Sequence, residues 1–311
     1  MKVALFTNHK VGILLLQSLF NSQQLSALVI PKKDFPGKND FLFLCQIYQC
    51  PFIEVEAKDL KGNARDWLTE KAPDIIIVNA FPYLLPTGIL SVPKHGGWNF
   101  HASPLPEYRG AVPLFWQIAD GKQVTELCLH QMTEEFDEGA VFAREQVHLH
   151  PADTHDTAMN RIAQHAPKMT AELIGSIARG ETLPLEEQPQ GDYKIQGKPS
   201  LNDITIDWSI MKTEEIQCLV RACNPTGTGA IAWFRGIEIR LSEVQCITLK
   251  TPPTHPPGTF LTFEDNPNLY ILCKGGSCLR VMVIIMEEAI CSGESFRTLF
   301  QVNNGEALMR H

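Results

Sequence analysis

Asn99 and His101 stand two residues apart in the run 99–116, which reads Asn-Phe-His-Ala-Ser-Pro-Leu-Pro-Glu-Tyr-Arg-Gly-Ala-Val-Pro-Leu-Phe-Trp. If residues 97–101 end a β-strand, side-chain alternation sends both to one face and sets an amide beside an imidazole. Pro104 and Pro106 follow directly. Each fixes φ and lacks an N–H donor, so the ladder stops and the polar pair lies at a strand's exit. In an open α/β sheet, ligands bind in the crevice beyond the carboxyl ends of the strands. An Asn-x-His pair can equally be a satisfied structural pair; its surroundings decide.

The elements that must position this pair follow from apolar periodicity. Residues 2–6, 25–30 and 75–78 read as short buried strands and 124–131 and 140–148 as two more, with helices over 11–19, 40–48 and 59–70. Residues 155–179 read as one long helix kinked at Pro167. Strands alternating with helices predict an α/β domain with a mostly parallel sheet. Residues 180–200, with three prolines and three glycines, read as a linker. Beyond it, a helix over 212–222 precedes short strands at 229–234, 238–244, 258–262, 269–273 and 279–284, a spacing that suggests a small β-barrel. A single glycine, Gly12, follows the first strand where a dinucleotide fold places three, which disfavours a nicotinamide dehydrogenase.

Composition narrows the class further. The 311 residues, 44% apolar and 20% charged, fit an ordinary globular chain of about two domains. The longest apolar runs are too short to span a bilayer, and residues 1–6 begin a strand without a cleavage pattern, so a cytoplasmic protein with no membrane partner is expected. Nine cysteines include Cys45/Cys50, Cys218/Cys223 and Cys273/Cys278, spaced like neither a zinc knuckle nor a redox dithiol. Reduced thiols are expected. His148, His150 and His155 read as strand and loop histidines, and no metal is expected.

The run 99–116, followed by Phe136-Asp137-Glu138-Gly139, resembles the signature of the folate-dependent formyltransferases, the family of methionyl-tRNA, glycinamide ribonucleotide and aminosugar formyltransferases. Ser103-Pro104-Leu105-Pro106 and Tyr108-Arg109-Gly110 fit that family's Ser-x-Leu-Pro-x-x-Arg-Gly frame. The resemblance implies a catalytic set of Asn99, His101 and Asp137. Formyl transfer to an amine needs an acceptor for the amine's proton, which His101 suits, and a donor for the developing oxyanion, which the Asn99 amide suits. Asp137 would orient His101 or relay the proton. The resemblance also implies 10-formyltetrahydrofolate as formyl donor, held by Phe81, Pro82, Tyr83, Leu84, Phe136, Glu138 and Gly139. Ser103, Arg109, Gly110 and Trp116 would shape the acceptor side. Phe81, Tyr83 and Trp116 fit core packing equally well, and Arg109 fits a solvated surface charge. Residues 204–208 (Ile-Thr-Ile-Asp-Trp) and 221–225 (Arg-Ala-Cys-Asn-Pro) resemble the start of the family's C-terminal domain. The implied architecture is a Rossmann-like formyltransferase domain over 1–180, a linker over 181–200 and an OB-like barrel over 201–311.

Charge bears on the acceptor. Residues 201–311 carry 9 Lys and Arg against 12 Asp and Glu, and residues 1–200 carry 18 against 23, so neither part is net basic. RNA binding draws its affinity from phosphate neutralisation. TRNA-directed members carry a long basic loop after the second strand; here residues 31–40 keep Lys32, Lys33 and Lys38 in a shorter loop. The leading expectation is therefore a primary amine on a small molecule such as an aminosugar, amino acid or natural-product precursor. Initiator methionyl-tRNA is the alternative acceptor, and a non-catalytic folate-binding homologue is the third reading.

Overall fold

The computed structural model describes residues 1–224, 229–249, 254–287 and 289–309. Pro225 of the 221–225 motif lies outside the described residues. The chain divides into two compact units, one of residues 1–113, 124–148 and 159–196, the other of 114–123, 149–158 and 197–311.

The first unit is built on a seven-stranded sheet. In chain order it holds β1 (Val3–Thr7), α1 (Gly12–Asn21), β2 (Leu25–Pro31), α2 (Lys38–Tyr48), β3 (Phe52–Val55), α3 (Asn63–Lys71), β4 (Ile75–Asn79), α4 (Thr87–Leu90) and β5 (Gly97–His101). After α5 (Pro113–Ala119), which from Leu114 on belongs to the second unit, come β6 (Val124–Gln131) and β7 (Val141–His148), and then α6 (His155–Ala163), in the first unit from Met159, and α7 (Ala166–Ala178). The sheet order is β3-β2-β1-β4-β5-β6-β7. Strands β1 to β5 run parallel, while β6 is antiparallel to both β5 and β7. Every residue of β1 and β4 is buried, as expected of central strands covered on both faces. Helix α1 buries Gly12, Leu15, Leu16 and Leu19, the i, i+3, i+4, i+7 stripe of a helix lying on a sheet. The strand order reverses between β1 and β4, which creates a crevice at the carboxyl ends of β1, β4 and β5.

The long helix expected over 155–179 is two helices, α6 and α7, separated at residues 164–165. Pro167 lies in the first turn of α7, where its missing N–H would have had no helical partner. The helix expected over 59–70 is likewise divided, into a 3₁₀ turn (Ala57–Lys61) and α3, because Gly62 at φ −142°, ψ −107° leaves the helical region. Strand β3 had no sequence expectation; it is four residues long and its side chains alternate little in burial.

In the second unit, α8 (Thr213–Ala222) precedes β8 (Ala230–Phe234), β9 (Ile237–Ile247), β10 (Phe260–Phe263), β11 (Asn266–Leu272), β12 (Cys278–Met286), β13 (Ala289–Ser292) and α9 (Gly293–Leu299). The antiparallel sheet runs β10-β11-β12-β9-β8, with β13 paired to β12. Residues 307–309 then bridge Thr259, just before β10, and Trp233 of β8, linking the two edges of the sheet. A separate antiparallel domain after a parallel-dominated one is the architecture expected from the sequence. Strand β13 and helix α9 were not expected. Among the described residues no helix is long and apolar enough to cross a membrane, and the nine cysteines are free.

Candidate active site

Strand β5 ends the parallel part of the sheet, and its pleat places Asn99 and His101 on one face. Its antiparallel neighbour β6 sets His130 directly opposite Asn99, and Cys128 opposite His101. A residue pair in register shares a face. The result is an amide and two imidazoles converging where β5 leaves the sheet, with the His101 and His130 rings 6.4 Å apart.

Asp137 reaches this cluster from the loop between β6 and β7. Its Oδ1 accepts from Asn99 Nδ2 at 3.3 Å and lies 3.4 Å from His130 Nε2. Its Oδ2 accepts from the Gly110 N–H at 2.9 Å and lies 3.5 Å from His101 Nδ1. The backbone of Asp137 is left-handed, at φ +55°, a conformation that costs a non-glycine residue about 1–3 kcal/mol and persists only when its surroundings hold it.

Carbonyl partners fix both imidazole tautomers. His101 Nε2 lies 3.0 Å from Tyr108 O, and His130 Nδ1 lies 2.8 Å from Gln131 O. A carbonyl only accepts, so each of these nitrogens carries hydrogen. Neutral His101 therefore presents a bare Nδ1 toward Asp137, and that atom is where it gains a proton. Neutral His130 presents a bare Nε2, which accepts from Asn99 Nδ2 at 3.2 Å. Both Asn99 amide hydrogens are thus engaged, one on His130 and one on Asp137. The oxyanion-donor role expected for Asn99 requires it to release one of them; its Oδ1 can instead accept from an incoming amine.

Burial is the largest influence on both titrating partners. For His101 it disfavours the imidazolium and lowers the pKa below the ordinary value, against the upward pull of Asp137. For Asp137 burial alone would raise the pKa. The neighbouring His101 and His130, when protonated, together with the Gly110 N–H, overcome that and hold the carboxyl well below the usual carboxylate range. At neutral pH the resting arrangement is a carboxylate beside a neutral imidazole able to take a proton.

The other expected residues fall into distinct places. Arg109 is 7% exposed, not a solvated charge: it pairs with Glu138 at 3.0 Å, bonds Gln188 and lies over the Tyr193 ring. Gly110 contributes its N–H to Asp137 at φ +102°, and a Cβ there would sit 2.3 Å from Gln196 O. Ser103 is 0% exposed and donates its hydroxyl to Glu107 O at 2.8 Å, so it braces the β5 exit and offers no surface to a substrate. Cys128 braces the same turn by donating to Ser103 O, its thiol pushed up to about 11 by burial. Trp116 belongs to the second unit, where its Nε1 donates to Gly197 O at 3.0 Å.

In the loop after β4, Phe81 packs edge-on against Phe6 and Tyr83, both of these loop rings resting on the core. Pro82 and Leu84 are exposed, as is Phe136. A bond from Thr87 to Glu134 brings the 80–87 and 132–139 loops together. Gly139 is required by the backbone, since a Cβ there would lie 2.0 Å from Gln131 O of β6. Gly139→Ala should therefore destabilise the chain by about 1–3 kcal/mol and displace Asp137. A lowered denaturant midpoint with reduced turnover is the expected result; wild-type values for both would contradict this packing.

Sequence reasoning missed His130 and Gln188. His130 had a usable signal, because alternation along 124–131 puts it on the face that β5 shares. Gln188 had none, since it lies in a stretch without periodicity.

Residues 16–174 match the family described as formyl transferase, and residues 200–300 match the formyl transferase C-terminal domain. The methionyl-tRNA formyltransferase of Ehrlichia chaffeensis is 26% identical over 259 residues, 80% of each chain. That of Marinobacter nauticus is 33% identical over 217 residues, covering 69% of this chain and 67% of its own. Among solved structures, WlaRD, a sugar 3N-formyl transferase, superposes with a TM-score of 0.66 at 14% identity, over 90% of this chain and 97% of its own. The chain belongs to the formyl transferase family and is a folate-dependent formyl-transfer enzyme.

Proposed function

We propose that this enzyme moves the formyl group of 10-formyltetrahydrofolate onto the primary amine of a small molecule, with Asn99, His101 and Asp137 as its catalytic residues. The donor supplies an activated formyl carbonyl. The exposed apolar side chains of Leu84 and Phe136, on two adjoining loops beside Asp137, suit the flat face of a pterin. In this reading Asn99 Oδ1 orients the amine that attacks the formyl carbon, His101 Nδ1 takes the amine's proton, and as the bond from that carbon to N10 breaks the proton is returned to N10 of the departing tetrahydrofolate. Asp137 stabilises the resulting imidazolium, a carboxylate at short range favouring the charged form. Arg109 and Gly110 act by holding Asp137.

The observation that carries the small-molecule acceptor is the state of the basic loop between β2 and α2. Lys32 pairs with Asp59 at 2.9 Å, and Lys38 pairs with Glu54 at 2.6 Å while donating to Lys32 O. Turning either lysine to a phosphate would leave Asp59 or Glu54 facing a polyanion. Lys33 alone of the three has no ion pair among those described, and one lysine is a poor footing for RNA. The structure-matched sugar formyl transferase fits this reading. A second reading, formylation of initiator methionyl-tRNA, is favoured by the names of the sequence relatives.

Salt separates the two. Binding through six or more phosphates weakens by about 10³-fold or more between 50 and 200 mM salt, whereas a neutral or singly charged amine shows almost no slope. The protein is expected not to retain initiator methionyl-tRNA at 200 mM salt, and Lys33→Ala is expected to leave turnover unchanged. Tight, steeply salt-dependent retention that Lys33→Ala weakens would install the tRNA reading. Charge reversal at Lys32 or Lys38 is a poor test, because a carboxylate there would face Asp59 or Glu54.

A further inference from the structure

Residues 186–196 form a strap over the two loops that hold Asp137. At one end Glu186 exchanges backbone hydrogen bonds with Val141, at 2.8 and 2.9 Å. At the other, Gln196 N donates to Arg109 O at 2.7 Å and Ala111 N donates to Gln196 O at 2.8 Å, bracketing Gly110. Between these anchors Gln188 is 5% exposed. Its Oε1 accepts from Arg109 Nε at 3.1 Å and Nη2 at 2.7 Å, and its Nε2 donates to Asp137 O at 2.7 Å and Gly139 O at 2.8 Å. A carboxamide has two acceptor positions and two donor hydrogens, and this one uses all four.

These partners have a common purpose. Asp137 is the left-handed residue that presents the carboxylate, with Gly139 two residues on, and Arg109 adjoins both Gly110, whose N–H binds that carboxylate, and Tyr108, whose carbonyl fixes the His101 tautomer. Arg109 also pairs with Glu138, between the two carbonyls that Gln188 holds. One buried amide thus joins Arg109 to the 137–139 backbone.

We propose that Gln188 is a positioning residue of the formyl-transfer centre: its carboxamide clamps the 137–139 backbone to Arg109 and so holds the Asp137 carboxylate against His101 Nδ1 and the Gly110 N–H. The inference rests on reading Asp137 as the charge partner of His101, and it is independent of the acceptor's identity. A side chain that merely packed the strap would need neither bidentate contact with Arg109 nor contact with the carbonyls of Asp137 and Gly139 on either side of Glu138.

The test is the titration of the His101 imidazole, followed by NMR in the full-length protein. His101 is influenced by Asp137, which raises its pKa, by His130 and Arg109, which lower it, and by the Tyr108 carbonyl. In Gln188→Met the Asp137 carboxylate recedes, and the His101 titration moves to lower pH, the direction also expected for Asp137→Asn. Adding Gln188→Met to Asp137→Asn produces no further shift to lower pH, because the carboxylate is gone and release of Arg109, which lowers the His101 pKa, would move the titration the other way. Turnover in Gln188→Met falls by on the order of 10²-fold with little change in KM for the formyl donor. Gln188→Asn, polar but one methylene shorter, gives the same shift and guards against a packing artefact. An unchanged His101 titration in folded Gln188→Met, or a shift additive with Asp137→Asn, overturns the proposal. Loss of folding in both Gln188 variants, the mark of a purely structural amide, overturns it as well. If Asp137→Asn itself leaves the titration and turnover at wild-type values, the reading of the catalytic centre fails instead.

Discussion

His101→Gln is expected to reduce formyl transfer by about 10²–10⁴-fold, the range in which a positioned general base contributes. Glutamine retains an N–H donor for Tyr108 O, the partner that His101 Nε2 meets at 3.0 Å, so the loop beyond β5 keeps its anchor. It has no group that accepts a proton at neutral pH. The loss should appear in kcat, with binding of the formyl donor nearly unchanged, because the deletion is confined to the reacting centre. A folded His101→Gln enzyme that turns over near the wild-type rate would show that the proton goes elsewhere.

Asp137→Asn keeps the shape of the side chain and removes its charge, and a fall in turnover of about 10²-fold or more is expected. The pH profile carries the more specific signature. Burial holds His101 below its ordinary pKa near 6.5, so wild-type kcat/KM should rise with pH through an apparent pKa below that value and level off by neutrality. Asp137 opposes the effect of burial, and removing its charge lowers the His101 pKa further. The acid limb of Asp137→Asn should therefore lie at lower pH than that of the wild type. An acid limb that stays in place would reduce Asp137 to a loop-closing role.

Stability follows the same signs. His101 and Asp137 both have depressed pKa values in the folded chain, so each binds fewer protons there than when unfolded. Stability is lost as pH falls, first below about 6.5 as the unfolded histidine charges and then below about 3.9 as the unfolded carboxyl protonates.

Much of this centre was legible because it lies on regular structure. Asn99 and His101 are separated by one strand period and followed by prolines, and those facts alone fix their shared face and their place at a strand exit. The buried runs of β1 and β4 announced a parallel sheet for the same reason. Features set by contacts distant in sequence were not legible. His155 to Ala178 has the content of one helix, yet it is two, because helix content does not record where a turn of chain is diverted. For Arg109 a solvated surface charge stayed open beside its expected place on the acceptor side, because its partners, Glu138 and Gln188, are 29 and 79 residues away. The bonds of residues 186–196 to Val141, Arg109 and Ala111 were not legible either, because they leave no periodic trace in composition. Trp116 and Ser103, picked out by their place in the motif, are held by Gly197 and Glu107 carbonyls.

The acceptor is the central claim, and a single partition experiment addresses it. The purified enzyme would be given 10-formyltetrahydrofolate labelled in the formyl carbon. Initiator methionyl-tRNA and the low-molecular-mass fraction of an extract of the native host would be present together. After separation by size, label should accumulate in the small-molecule fraction as a formamide, vanish with His101→Gln, and be absent from the tRNA. Label on methionyl-tRNA, lost with His101→Gln and with none in the small-molecule fraction, would contradict the account and make this chain a tRNA-directed enzyme.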